Sequence, residues 1–68
     1  MDKLKIAKRL RALRKAKGAT VYDVARECKI TAAAVCMYES GERIPRDPIK
    51  VKLAGYFGKS VGSIFFDE

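Results

Sequence analysis

The segment Thr20–Gly41, TVYDVARECKITAAAVCMYESG, reads as two short helices joined by a tight turn. Thr20 is a natural N-cap, and Asp23 three residues on completes a capping box of the T-x-x-D kind. Val24, Ala25 and Cys28 then recur at helical spacing on one face. Ile30 is an apolar residue just outside the second helix, and Thr31 is a good N-cap for it. Val35 and Tyr38 share a face at i and i+3, and Gly41 stands where a helix stops. The gap of about three residues is the length that lets two helices cross steeply. In that geometry the second helix projects from the body and fits a DNA major groove.

Charge points the same way. The 68 residues hold 15 Lys and Arg against 8 Asp and Glu, a net charge of +7, and the isoelectric point is about 9.7. A domain this basic has the electrostatic footprint of a polyanion binder. The length allows a single domain, residues 1–68, with a small core, so self-association would help stability. Cys28 and Cys36 are eight apart and histidine is absent. That is neither a zinc-ligand pattern nor a disulfide framework, so no metal or cofactor is expected. Reduced thiols and a cytoplasmic location are expected, with no membrane contact and no small-molecule substrate. No stretch approaches the roughly 20 apolar residues that span a bilayer. With no glycine-rich phosphate loop and no paired carboxylates in an evident cleft, nothing suggests an enzyme.

Outward from the central segment, Asp2 can N-cap a first helix to about Lys17. Ile6, Leu10 and Leu13 form its apolar stripe, which Leu4 and Ala7 widen, and Gly18 ends it. Beyond Gly41 a loop leads to Asp47, read as the N-cap of a fourth helix with Pro48 at its first position. Its apolar residues are Ile49, Val51, Leu53, Ala54, Tyr56 and Phe57. Gly55 within it predicts a close backbone approach, and Gly58 terminates it. Ser60 caps a last helix from Val61 to about Phe66. Val61, Ile64 and Phe65 can close the core, with Phe66 partly exposed. No strand periodicity appears. The expected fold is all-α, five short helices in a bundle.

The order and spacing of these elements resemble the phage-repressor and Cro-type helix-turn-helix proteins, the XRE family. The resemblance runs from about Ile6 to Phe66. RLRALRKAKG (9–18), Val24-Ala25, Ile30-Thr31, VCMYESGERIP (35–45), KLAGYFGKS (52–60) and SIFF (63–66) carry it. The most specific piece is Y-E-x-G-x-x-x-P after the two helices. The resemblance implies a lambda-repressor-like five-helix domain. It also implies a transcriptional regulator, a repressor or Cro-like protein, that binds a palindromic double-stranded operator as a homodimer. A protein-interaction module of the antitoxin or anti-repressor type, or a non-specific nucleic-acid binder, are the competing readings.

Three departures from the family pattern shape the expected site. Where the family often places Gln at the start of the second helix, this chain has Val21, which shifts that phosphate contact to Thr20 or Tyr22. The turn residue that usually is Gly is Lys29, which costs about 1 kcal/mol in a left-handed conformation and puts a cation beside a phosphate. The recognition helix lacks Arg, Gln and Asn. Thr31, Ala32, Ala33, Cys36 and Met37 are its expected base-contacting residues, through methyl contacts to thymine and DNA shape rather than bidentate hydrogen bonds. Ser40, Arg43 and Arg46 are expected at the sugar-phosphate backbone. Glu39 is expected to pair with Arg9, Arg14 or Arg43 instead of facing DNA. Phe65 and Phe66 are candidates for the dimer interface, or else cap the monomer core.

Overall fold

A computed structural model describes residues 2–67; Met1 and Glu68 lie outside the described residues. Five helices follow one another: α1 Lys3–Ala16, α2 Val21–Cys28, α3 Ala32–Ser40, α4 Asp47–Phe57 and α5 Val61–Phe65. There is no strand among the described residues, and no helix is long and apolar enough to cross a membrane.

Local chemistry starts and stops most of them. The Leu4 N–H donates to the Asp2 carboxylate at 3.0 Å, and Gly18 follows α1 in the left-handed region. Thr20 and Asp23 form the reciprocal box. The Asp23 N–H reaches the Thr20 hydroxyl at 3.1 Å, and the Thr20 N–H reaches the Asp23 carboxylate at 2.9 Å. That backbone hydrogen bond from Thr20 holds the Asp23 carboxyl below its ordinary value. The box therefore supports α2 through the neutral range and is lost only as pH falls into and below the carboxylate range. Thr31 and Ser60 cap α3 and α5 through the N–H groups of Ala34 and Ser63.

The start of α4 differs from expectation. Arg46 occupies the N-cap position without a side-chain cap, and Asp47 and Pro48 are the first two helical residues. Asp47 is therefore no cap. Its carboxylate instead takes a 3.1 Å hydrogen bond from the Lys50 ammonium one turn on.

Ile6 and Leu10 of α1, Val24, Ala25 and Cys28 of α2, Val35 of α3, Leu53 and Ala54 of α4, and Ile64 and Phe65 of α5 make one core. Ile30 and Tyr38 pack on its edge. Burial pushes the Cys28 thiol up in pKa, so it stays protonated. Several sequence expectations are corrected here. The inward face of α4 is Lys50, Leu53, Ala54 and the half-buried Phe57, at i, i+3, i+4 and i+7. Lys50 is thus buried along its stem and Val51 points to solvent. Leu4 does not widen the core stripe; it is exposed and its tip lies over Gly41. Gly55 has no close neighbour, since a Cβ there would meet nothing within 4 Å. Phe65 is only 2 % exposed and belongs to the core, which closes its ring to any partner surface. Phe66 remains 46 % exposed, with the Lys50 ammonium 5.1 Å from its ring centre.

Candidate nucleic-acid interface

The turn between α2 and α3 sets the angle at which α3 leaves the body. Lys29 takes φ 56° and ψ 46°, the left-handed conformation expected of it. This lets the Ile30 N–H turn back to the Ala25 carbonyl at 2.9 Å and the Lys29 N–H to Arg26 at 3.3 Å. Those bonds satisfy carbonyls that the end of α2 would otherwise leave open. The Lys29 side chain stands exposed at the junction. Replacing it should separate its two roles. Lys29→Gly is expected to stabilise the domain by up to about 1 kcal/mol in chemical denaturation, because glycine pays no left-handed penalty. The same variant should bind duplex DNA more weakly at low salt. A less stable variant would show that the left-handed turn costs lysine nothing here.

Only Val35 of α3 is fully buried, so the helix rests on one anchor and its flanks. Ala32 lies three residues before Val35 on the same side and packs against the core. It is therefore removed from the outward set proposed from sequence. Ala33, Cys36 and Ser40 are exposed and Met37 is half-buried. Ala33, Met37 and Ser40 follow at i, i+4 and i+7, one line of small or flexible side chains on the outer face. Thr31 is exposed, but its hydroxyl accepts from the Ala34 N–H at 3.0 Å, and the Ser40 hydroxyl donates to the Met37 carbonyl at 3.1 Å. The face thus presents methyl groups, a thioether and a thiol, and few free hydrogen-bonding groups.

A bidentate ion pair joins α1 to α3. Arg14 of α1 donates from Nε to Glu39 Oε2 at 2.7 Å and from Nη2 to Oε1 at 3.0 Å. Its third donor, Nη1, reaches the Ala19 carbonyl at 3.1 Å. The side chains are 16 % and 10 % exposed. The hydrogen bonds from Arg14 to Glu39 raise the arginine's pKa further, which keeps it charged throughout. One side chain therefore ties α1 to the C-terminal half of α3 and to the residue before the Thr20 cap. Of the three partners the sequence allowed Glu39, Arg9 instead bonds the Ile64 carbonyl and Asp67, and Arg43 is unpaired among the described residues.

Flanking cations complete the surface. In the loop after α3, Ile44 is half-buried on the core and Pro45 is fully buried. These two anchors leave Arg43 and Arg46 outside, exposed and with no ion partner among the described residues. Pro45 is the last residue of the Y-E-x-G-x-x-x-P motif, and its burial beside Ile44 seats the loop on the core. At the other end, Tyr22 is exposed in the first turn of α2 and Thr20 is exposed with its hydroxyl inside the capping box.

A helix-turn-helix family model matches residues 10–64, which spans α2, the turn, α3 and most of the supporting helices. No curated protein and no solved structure matches the chain. With more than half of its length matched, and with the capped helix, left-handed turn and projecting helix in place, the chain belongs to the XRE-type helix-turn-helix family of DNA-binding, transcription-regulator domains.

Proposed function

We propose that this domain is a sequence-specific regulator, a repressor that reads a palindromic operator as a homodimer with α3 in the major groove. The observation that carries this reading is the outer face of α3. A line of small side chains there permits close approach, and in the chain α3 is bracketed by the exposed Lys29 before it and the exposed Arg43 and Arg46 after it. The cations hold phosphates and fix register, and the methyl-rich helix reads thymine methyls and groove shape. Ala33, Cys36 and Met37 are the base-contacting residues, with Thr31 at the front of the helix. Thr20, Tyr22, Lys29, Ser40, Arg43 and Arg46 contact the backbone. Selection of bound duplexes from a random pool at physiological salt tests the reading. A two-fold symmetric motif is expected, and recovery of unrelated sequences at equal affinity overturns it. The scarcity of hydrogen-bonding side chains on α3 favours one alternative, a protein-interaction module, and that alternative predicts no enriched motif.

The homodimer part rests on Phe66. Phe66 is the half-exposed aromatic after the last helix, and its ring is available to a second copy of the chain. A two-fold contact there would set two recognition helices about 34 Å apart, one turn of DNA. Phe66→Ser is expected to leave a folded monomer in sedimentation that binds the selected duplex less tightly. A variant as associated as the parent would put the interface elsewhere.

A further inference from the structure

Half of the residues of α1 are Lys or Arg, and none is acidic. Arg9 and Arg14 are engaged by Asp67 and Glu39. Lys8, Arg11 and Lys15 are exposed and pair with no acidic group among the described residues. Their spacing, i, i+3 and i+7, aligns them on one face, turned away from the buried Ile6 and Leu10.

On its own this arrangement opposes folding. Lys8 and Arg11, and Arg11 and Lys15, are like-charge neighbours one turn apart and repel. Lys15 lies in the last turn, where the helix dipole favours it, but Lys8 and Arg11 do not. The other helices are treated differently. On α2, Arg26 pairs with Asp23 and Glu27, and on α4, Lys50 pairs with Asp47. Each of α2 and α4 thus carries acidic partners for its cations, whereas α1 has none of its own and leaves three aligned cations on its outer face.

The N-terminal end of that face lies against the C-terminal end of α3. Leu4, one turn before Lys8, lies with its Cδ2 over Gly41, the C-cap of α3. Arg14, on the adjoining inner flank of α1, holds Glu39 and so fixes α1 against α3. From Lys8 to Lys15 the helix rises about 10 Å, the axial length occupied by about three phosphates of one DNA strand.

We propose that the Lys8–Arg11–Lys15 face of α1 is a second phosphate-binding surface, which holds the backbone of the same duplex just outside the segment read by α3. The proposal rests on the reading of α3 as the DNA-reading helix. The probe is a duplex recovered from the random pool, prepared in two lengths. The short form ends at the selected motif, and the long form carries about 10 more base pairs, one helical turn, on each side. The variant is Lys8→Gln/Arg11→Gln/Lys15→Gln, in which glutamine keeps helix propensity and removal of the repulsion leaves the melting temperature equal or higher. For the parent, the slope of log K against log salt should be steeper on the long duplex by about 2 to 3 per protomer, the release expected for three phosphates. The variant should lose that increment and keep the short-duplex slope.

A variant that retains the parent's increment overturns the proposal and points the face toward another polyanion, such as an acidic protein. Equal flattening of both slopes places the three cations inside the read segment and overturns the flanking assignment. Ala33→Glu run beside it separates the two levels. If Ala33→Glu abolishes binding while the triple variant keeps its increment, the α1 face alone is wrong. If Ala33→Glu binds normally, both fall.

Discussion

Ala33→Glu is expected to abolish duplex binding while leaving the fold intact. Ala33 is exposed in the first turn of α3 and takes no part in the core. A glutamate there lies near the N-terminus of its helix, where the dipole favours a negative charge by about 0.3–1 kcal/mol. Stability should therefore hold or rise slightly. In the groove the same carboxylate meets phosphates and base acceptors with no cation on α3 to offset it. Like-charge juxtaposition at an interface costs several kcal/mol, more than about a hundredfold in affinity. Ala33→Gln, of the same shape and without the charge, should lose much less and isolates the electrostatic part. Fluorescence anisotropy on the selected duplex, with thermal melting on the same samples, makes the measurement. A folded Ala33→Glu protein that binds with parental affinity would mean that α3 does not enter the groove.

The parts of this domain legible from sequence are those that local chemistry decides. Asp2, Thr20, Thr31 and Ser60 cap helices because each needs only an N–H two or three residues away, and the left-handed Lys29 is legible because it stands where the family's turn usually has glycine. Burial was harder, because it depends on what the rest of the chain places opposite a residue. Lys50 goes inside because its position on α4 faces Phe65 and its charge finds Asp47. That choice turns Val51 outward and takes Asp47 from capping duty. The sequence leaves Ala32 on the outward side for the same reason. A helix with one buried anchor shows little periodicity, and only the placement of Val35 reveals which neighbour turns in. In the candidate site, the turn residue and the exposed arginines of the following loop are legible through the family resemblance. The choice of Arg14 over Arg9 and Arg43 was not, because it joins residues 25 apart and depends on the path of α1.

That ion pair carries the largest stability effect expected of a single substitution. Glu39→Ala would leave the Arg14 guanidinium, 16 % exposed, with only the Ala19 carbonyl as partner. Removing one member of a buried pair costs about 3–5 kcal/mol, because the remaining charge stays desolvated; the partial exposure here puts the expectation near the lower end, about 3 kcal/mol. A domain of this length holds roughly 3–10 kcal/mol in total. The melting temperature should accordingly fall by more than about 10 °C. Arg14→Met/Glu39→Leu removes both charges and fills the space with apolar atoms, so it should recover most of the loss. A drop of only a few degrees in Glu39→Ala would mean that water reaches the guanidinium and the pair is a screened surface contact. The double variant has a second use. Arg14 fixes the C-terminal half of α3 relative to Ala19 and hence to the Thr20 cap, and apolar packing does not reproduce three directional hydrogen bonds. Recovered stability with weakened duplex binding would show that the pair sets the angle of α3, whereas recovery of both would show that packing alone sets it.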